Sequence, residues 1–121
     1  MATVELTTEN FDDVVGGSGI VLVDFWAEWC GPCRAFGPTY EAASDKNEDI
    51  VFGKVDTEAQ QQLAAAFDIR SIPTLMIVRE GVVLFSQPGA LPANALDDLI
   101  DQARKVDMEE VHAKVKEAQQ G

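Results

Sequence analysis

The chain has 121 residues, 46% hydrophobic and 25% charged, which suits one domain burying roughly two-thirds of its unfolded surface and excludes disordered, collagen-like and disulfide-scaffold classes. Nine Lys and Arg against 21 Asp and Glu give a formal charge of −12, which repels phosphate backbones and removes the attraction behind nonspecific nucleic-acid binding. The longest apolar stretch, residues 19–27, is interrupted by Asp24 and is far short of the roughly 18 residues of a membrane helix.

The opening residues carry neither the basic patch nor the apolar segment of a secretory signal, so a cytoplasmic, reducing location is expected. A strand is predicted at residues 3–6, then a helix capped by Thr7 or Thr8 and ended by the turn Gly16-Gly17-Ser18-Gly19. Residues 20–26 are almost continuously apolar, the pattern of a central strand covered on both faces, and there Asp24 is out of place. Further on, Cys33, Phe36, Tyr40 and Ala43 share one helical stripe, with a kink expected at Gly37-Pro38 because proline removes a backbone donor.

A strand at 50–55, a short helix at 58–67 and a strand at 75–78 follow, the last entered through Ile72-Pro73-Thr74. Glu80-Gly81 turns the chain into a hairpin with a strand at 82–85. Pro92 suits the first turn of the last core helix, whose Leu96, Leu99, Ile100 and Ala103 face the sheet. From the capping Asp107, Met108, Val111 and Val115 recur at helical spacing, predicting an added helix. The expected division is a domain at 1–106 and a helical extension at 107–121, packed on the core or projecting into solvent, with His112 facing solvent.

Strands alternating with helices, ending in an antiparallel hairpin, make an α/β fold. Its two cysteines, Cys30 and Cys33, stand in Trp29-Cys30-Gly31-Pro32-Cys33, just beyond the buried strand and at the opening of a helix. Zinc needs four ligands and the single histidine, His112, lies in the extension, so a metal site is disfavoured. A purely structural disulfide closing so short a loop constrains little chain entropy. A reversible dithiol remains: the unpaired N–H groups and partial positive charge of a helix N-terminus stabilise a thiolate at Cys30. Lowering a thiol pKa below its free value of about 8.5 raises its ionised fraction at neutrality. Cys30 is then the attacking sulfur, expected to be reachable, and Cys33, shielded on the apolar stripe, the resolving one.

Burial disfavours the charged form of Asp24 and moves its pKa towards neutrality, so it could exchange a proton with Cys33; a carboxylate merely capping a backbone group or paired with a cation is the rival reading. Lys54, in the neighbouring strand, could modulate Asp24 or be a solvated strand-end lysine. Trp29 could be a core anchor or an exposed contact beside the thiol, Trp26 is expected in the core, and Arg34 on the surface.

Phe25-Trp26-Ala27-Glu28-Trp29-Cys30-Gly31-Pro32-Cys33, then Pro38, Ile72-Pro73-Thr74 and Gly89-Ala90 together resemble the thioredoxin family over residues 3–105. The resemblance implies a twisted mixed β-sheet flanked by helices, and a dithiol couple that reduces disulfides in other proteins. It implies that Asp24 is a buried proton-transfer group with Lys54 beside it, and that Ile72-Pro73 is cis. It also implies a substrate groove formed by Trp29, Gly31, Pro32, Ile72, Pro73, Gly89 and Ala90. Gly31-Pro32 resembles the reducing type of the motif, and these two residues with Lys54 would tune the couple. No cofactor is expected on the chain itself; NADPH and flavin enter through thioredoxin reductase, and the carrier is expected to be a monomer. A thiol oxidase or isomerase on the same scaffold, or a groove that only binds a partner, are the competing functions.

Overall fold

The computed structural model describes residues 3–120. Its elements are β1 (Thr3–Glu5), α1 (Phe11–Val15), β2 (Ile20–Trp26), α2 (Gly31–Lys46) and β3 (Val51–Asp56), followed by α3 (Gln61–Ala66), β4 (Thr74–Arg79), β5 (Val82–Pro88), α4 (Ala93–Lys105) and α5 (Met108–Gln120). The strands form one sheet in the order β1-β3-β2-β4-β5. The pairs β1·β3 and β3·β2 are parallel, and β2·β4 and β4·β5 antiparallel. The expected mixed sheet, its flanking helices and the extra C-terminal helix are all present.

Period-two alternation sorts the strand residues between two cores. On one face Ile20, Leu22, Phe52, Leu75 and Ile77 pack against Phe36, Tyr40 and Ala43 of α2 and Leu96, Ile100 and Ala103 of α4. On the other, Val21, Val23, Phe25, Val55, Met76 and Val78 meet Leu6, Phe11 and Val15 near the N-terminus and Leu63 of α3. Asp24 follows Leu22 by two residues and so shares the α2 face. Gly53 has no Cβ because one would run into the buried Leu6 side chain.

Several boundaries differ from expectation, and at two helix starts the reason is local. The first helix starts at Phe11 instead of at Thr7 or Thr8, because Asn10 accepts from the Thr7 N–H at 2.7 Å and donates to the Glu5 carbonyl at 3.0 Å; these bonds build a turn. The third helix loses its predicted first turn to Asp56, whose Oδ1 accepts from the N–H groups of Glu58 at 2.9 Å and Ala59 at 3.4 Å. β5 continues to Pro88, and Pro92 is the N-cap of α4, not part of its first turn. α2 keeps Pro38, the site of the expected kink, inside its span. Glu80 and Gly81, at φ 54° and 78°, make the hairpin turn, both in the left-handed region that such a turn demands.

The added helix is tied down. Asp107 Oδ1 accepts from the Glu110 N–H at 3.2 Å, Met108 is buried, and Val111 and Val115 are half-buried. His112 is exposed, as expected, and its Nε2 lies 2.9 Å from Glu80 Oε1 at the hairpin turn. Next to it, Arg79 donates to the carbonyls of Ala103, Arg104 and Val106 where α4 ends. Among the described residues no helix is long and apolar enough to cross a membrane.

Candidate functional site

Cys30 and Cys33 are joined as a disulfide. Cys30 is the N-cap of α2, in extended conformation, and its Sγ accepts the Cys33 N–H at 3.2 Å. That bond satisfies one of the donors left over at a helix start, and Pro32, within the first helical positions, removes another. A sulfur placed there feels the positive end of the helix dipole, the condition that favours a thiolate once the disulfide is reduced. Cys30 Sγ also lies 3.7 Å from the Ile72 carbonyl oxygen, and the Ile72-Pro73 bond is cis.

The expected contrast in exposure between the cysteines is absent, since each is 4% exposed. Both belong to one cluster with Ala27, packed against Trp26 and Ile72; they differ in that Cys30 lines an open groove of about 410 Å³, together with Trp29, Gly31, Pro32, Thr57, Ala64, Ile69, Arg70, Ser71 and Ile72, and Cys33 is not among its lining residues.

The structure brings Trp29, Gly31, Pro32 and Ile72 together in that groove. Pro73, Gly89 and Ala90 are not among its lining residues; Pro73 is buried, and the Gly89 N–H donates to its carbonyl at 2.8 Å, which links the Gly89 turn to the cis-proline loop. The far wall, from Thr57, Ala64, Ile69, Arg70 and Ser71, escaped the sequence reading because no motif marks those segments. Trp29 is the exposed alternative, 69% accessible, with its Nε1 donating to Glu58 Oε1 at 2.8 Å.

Asp24 is 1% exposed, and neither carboxyl oxygen has a hydrogen-bond partner. Burial pushes its pKa up to about 7, partly opposed by the Lys54 ammonium. Lys54 is the register partner of Asp24 across β2 and β3, but its Nζ sits 4.7 Å from the centre of the Trp26 ring, so it acts on Asp24 through the field. Trp26 is half-buried instead of fully in the core, and Arg34 is exposed as expected. Among the described residues no group of three or more His, Cys, Asp or Glu could hold a metal ion.

Residues 2–102 match the thioredoxin family. The chain belongs to the thioredoxin family. It is 66% identical over 118 residues to "Putative thioredoxin 2" of Streptomyces coelicolor, covering 98% of this chain and 88% of that one. It is 41% identical over 100 residues to "Thioredoxin C-3" of Corynebacterium nephridii, covering 82% and 69%. Among solved structures, the thioredoxin of Malassezia sympodialis superposes with a TM-score of 0.76 at 34% identity, covering 84% of this chain and 90% of that one. Family membership makes the Cys30–Cys33 disulfide the oxidised form of a dithiol-disulfide oxidoreductase, a class that works without a bound cofactor.

Proposed function

We propose that this chain is a protein-disulfide reductase that carries two electrons to other proteins through Cys30 and Cys33. The carrying observation is the disulfide at the N-terminus of α2, with Cys30 on the wall of an open groove. In the reduced protein the Cys30 thiolate attacks one sulfur of a substrate disulfide; a mixed disulfide forms and the substrate's other sulfur leaves as a thiolate. Cys33 loses its proton to the Asp24 carboxylate and attacks Cys30 Sγ, which releases the second substrate sulfur. The substrate gains two electrons, the protein is left as the Cys30–Cys33 disulfide, and the proton on Asp24 passes to the released thiolate or to water.

Lys54 tunes Asp24, and Gly31 and Pro32 tune the couple. Trp29, Ile72, Pro73, Gly89 and Ala90 receive an extended substrate segment, supported by the placement of Ile72 beside Cys30 and the link from Gly89 to Pro73. We read the protein as a cytoplasmic monomer, re-reduced by an NADPH-dependent, flavin-containing thioredoxin reductase. The catalytic domain is residues 1–106 and the extension 107–121, a division supported by a family match ending at residue 102.

Insulin reduction tests the reading, driven first by dithiothreitol and then by NADPH with thioredoxin reductase. Accelerated reduction that requires both cysteines is expected. No acceleration with dithiothreitol overturns the reductase function, whereas activity with dithiothreitol alone overturns only the assigned electron source.

A further inference from the structure

The groove beside the disulfide offers an incoming chain few polar groups. On its far wall Thr57 has already committed its hydroxyl to the Trp26 carbonyl, at 3.0 Å. Arg70 is the only charged side chain among the described residues that line the groove, in a chain whose formal charge is −12.

The surroundings of Arg70 leave one edge of its guanidinium for a ligand. Its Nε donates to Asp68 Oδ1 at 3.1 Å, and it has no other partner among the described residues. The two side chains are 83% and 75% exposed, so water screens the pair and it contributes little. A guanidinium carries five N–H groups in a rigid planar fork. With Nε directed at Asp68, the edge formed by the two terminal nitrogens keeps a parallel pair of N–H groups, at the spacing that a carboxylate accepts. Asp68 is itself anchored: its φ is 55°, and the N–H groups of Asp68 and Ile69 donate to the carbonyls of Ala65 and Ala64 at 3.1 and 2.9 Å. The turn that holds Asp68 thus limits where the fork can point.

Position ties that fork to the chemistry. Arg70 stands two residues before Ile72, whose carbonyl oxygen lies 3.7 Å from Cys30 Sγ, and two residues of extended chain span about 7 Å. A carboxylate about two residues from the reacting cysteine of an extended substrate is therefore within reach. Trp29 also borders a second hollow, shared with Glu28, Asp56 and Glu58, where an anion is repelled. The site therefore has a direction of charge, positive at Arg70 and negative beyond Trp29.

We propose that Arg70 is a specificity-determining residue, which selects disulfide substrates bearing Glu or Asp about two residues from the cysteine that Cys30 attacks. The proposal rests on the reductase reading and names the substrate class of the same groove. The carboxylate is engaged as the substrate docks and stays engaged during sulfur exchange, so the effect falls on the second-order rate constant.

The test uses disulfide-linked peptide dimers of one sequence that carry Glu, Gln or Lys at both positions two removed from the cysteine. Pre-reduced full-length protein reduces each in a single turnover, and the released peptide thiol is measured. The wild type should reduce the Glu peptide about fivefold faster than the Lys peptide, on the scale of an exposed ion pair. In Arg70→Gln that preference should vanish or reverse. In Arg70→Lys, which keeps the charge and loses the planar fork, part of it should remain. Lys105→Gln makes the same change in net charge outside the groove and should keep the preference. The inference is overturned by a Glu-to-Lys rate ratio that is the same in the wild type and Arg70→Gln, or by a wild type that favours Lys. An equal loss in Lys105→Gln overturns it too, because net charge would then be the cause. Reduction of the Gln peptide with no change of ratio discards only the role of Arg70, whereas no reduction of any of the three peptides discards the reductase reading and this inference together.

Discussion

Replacing Asp24 by Asn should convert a pH-dependent protein into a nearly pH-independent one at this site. Asp24 has a pKa of about 7 in the fold against an ordinary value of 3.8, with burial as the main cause and Lys54 opposing it. The folded state therefore holds this proton more tightly than the unfolded chain does. By linkage, stability from this group is complete below about pH 4 and declines as pH rises towards about 7, above which the loss is constant. A shift of roughly three units, at about 1.4 kcal/mol each, amounts to about 4 kcal/mol. For a chain of 121 residues, with about 2 cal/mol/K of unfolding entropy per residue, that corresponds to about 15 °C in Tm. Asn is neutral throughout and resembles the protonated acid in size and polarity. Urea unfolding of the two oxidised proteins, followed from about pH 4 to about pH 8, should show near-equal stability at the acid end. A gap should open in favour of Asp24→Asn as pH rises, saturating above neutrality. A gap that stays constant across this range would refute the argument that burial raises the carboxyl pKa, and a gap of opposite sign would mean that the ionised form finds a partner in the fold.

Cys33→Ser should abolish turnover and accumulate substrate on Cys30 as a mixed disulfide, visible as a reducible adduct by mass spectrometry; a groove that only binds would release its partner intact. Lys54→Met removes the charge that opposes burial at Asp24, so the NMR midpoint of Asp24 should rise above about 7, and an unmoved midpoint would dismiss Lys54 as its modulator. Gly53→Ala forces a methyl group against the Leu6 side chain, which is fully buried, and should cost about 1–3 kcal/mol in urea unfolding.

The layout of the sheet was legible because its cues are local and redundant. Residues 20–26 are apolar on both faces, Glu80-Gly81 supplies left-handed turn geometry, and the Cys33, Phe36, Tyr40 and Ala43 stripe repeats at helical spacing, all as found. Helix starts were less legible because polar side chains compete with the helix for the same donors. Asn10 and Asp56 each capture N–H groups that a pattern-based reading assigns to a first turn. At the site, the cysteines and Asp24 stand out because their chemistry conflicts with their surroundings. The far wall of the groove does not, being assembled from single residues of the β3–α3 connection, α3 and the loop before Pro73. Long-range pairs such as His112 with Glu80 or Tyr40 with the Gly53 carbonyl join distant parts of the chain, and no one-dimensional pattern encodes such a meeting.

Equal burial of the two cysteines changes how their division of labour is explained. Reachability, the property expected to mark out the attacking sulfur, does not distinguish the two: both are 4% exposed when oxidised, so accessible area cannot select one. The groove and the helix can. An incoming thiolate in the groove meets Cys30 on its wall, and attack there breaks the bond with Cys33 as the leaving sulfur. That sulfur shares its apolar neighbours with Cys30 but not the N-cap position of α2, so there a thiolate is disfavoured and a proton donor is needed. Asp24, protonated through much of the range below about pH 7, is suited to supply it. In the reducing direction the same geometry runs backwards: a helix start favours negative charge on a sulfur placed there, and attack by Cys33 calls for a base to take its proton. The asymmetry thus comes from unequal electrostatic surroundings at two equally covered sulfurs. It predicts that Asp24→Asn slows the step involving Cys33 and leaves first attack by Cys30 unchanged, a distinction that single-turnover kinetics of mixed-disulfide formation and decay would read directly.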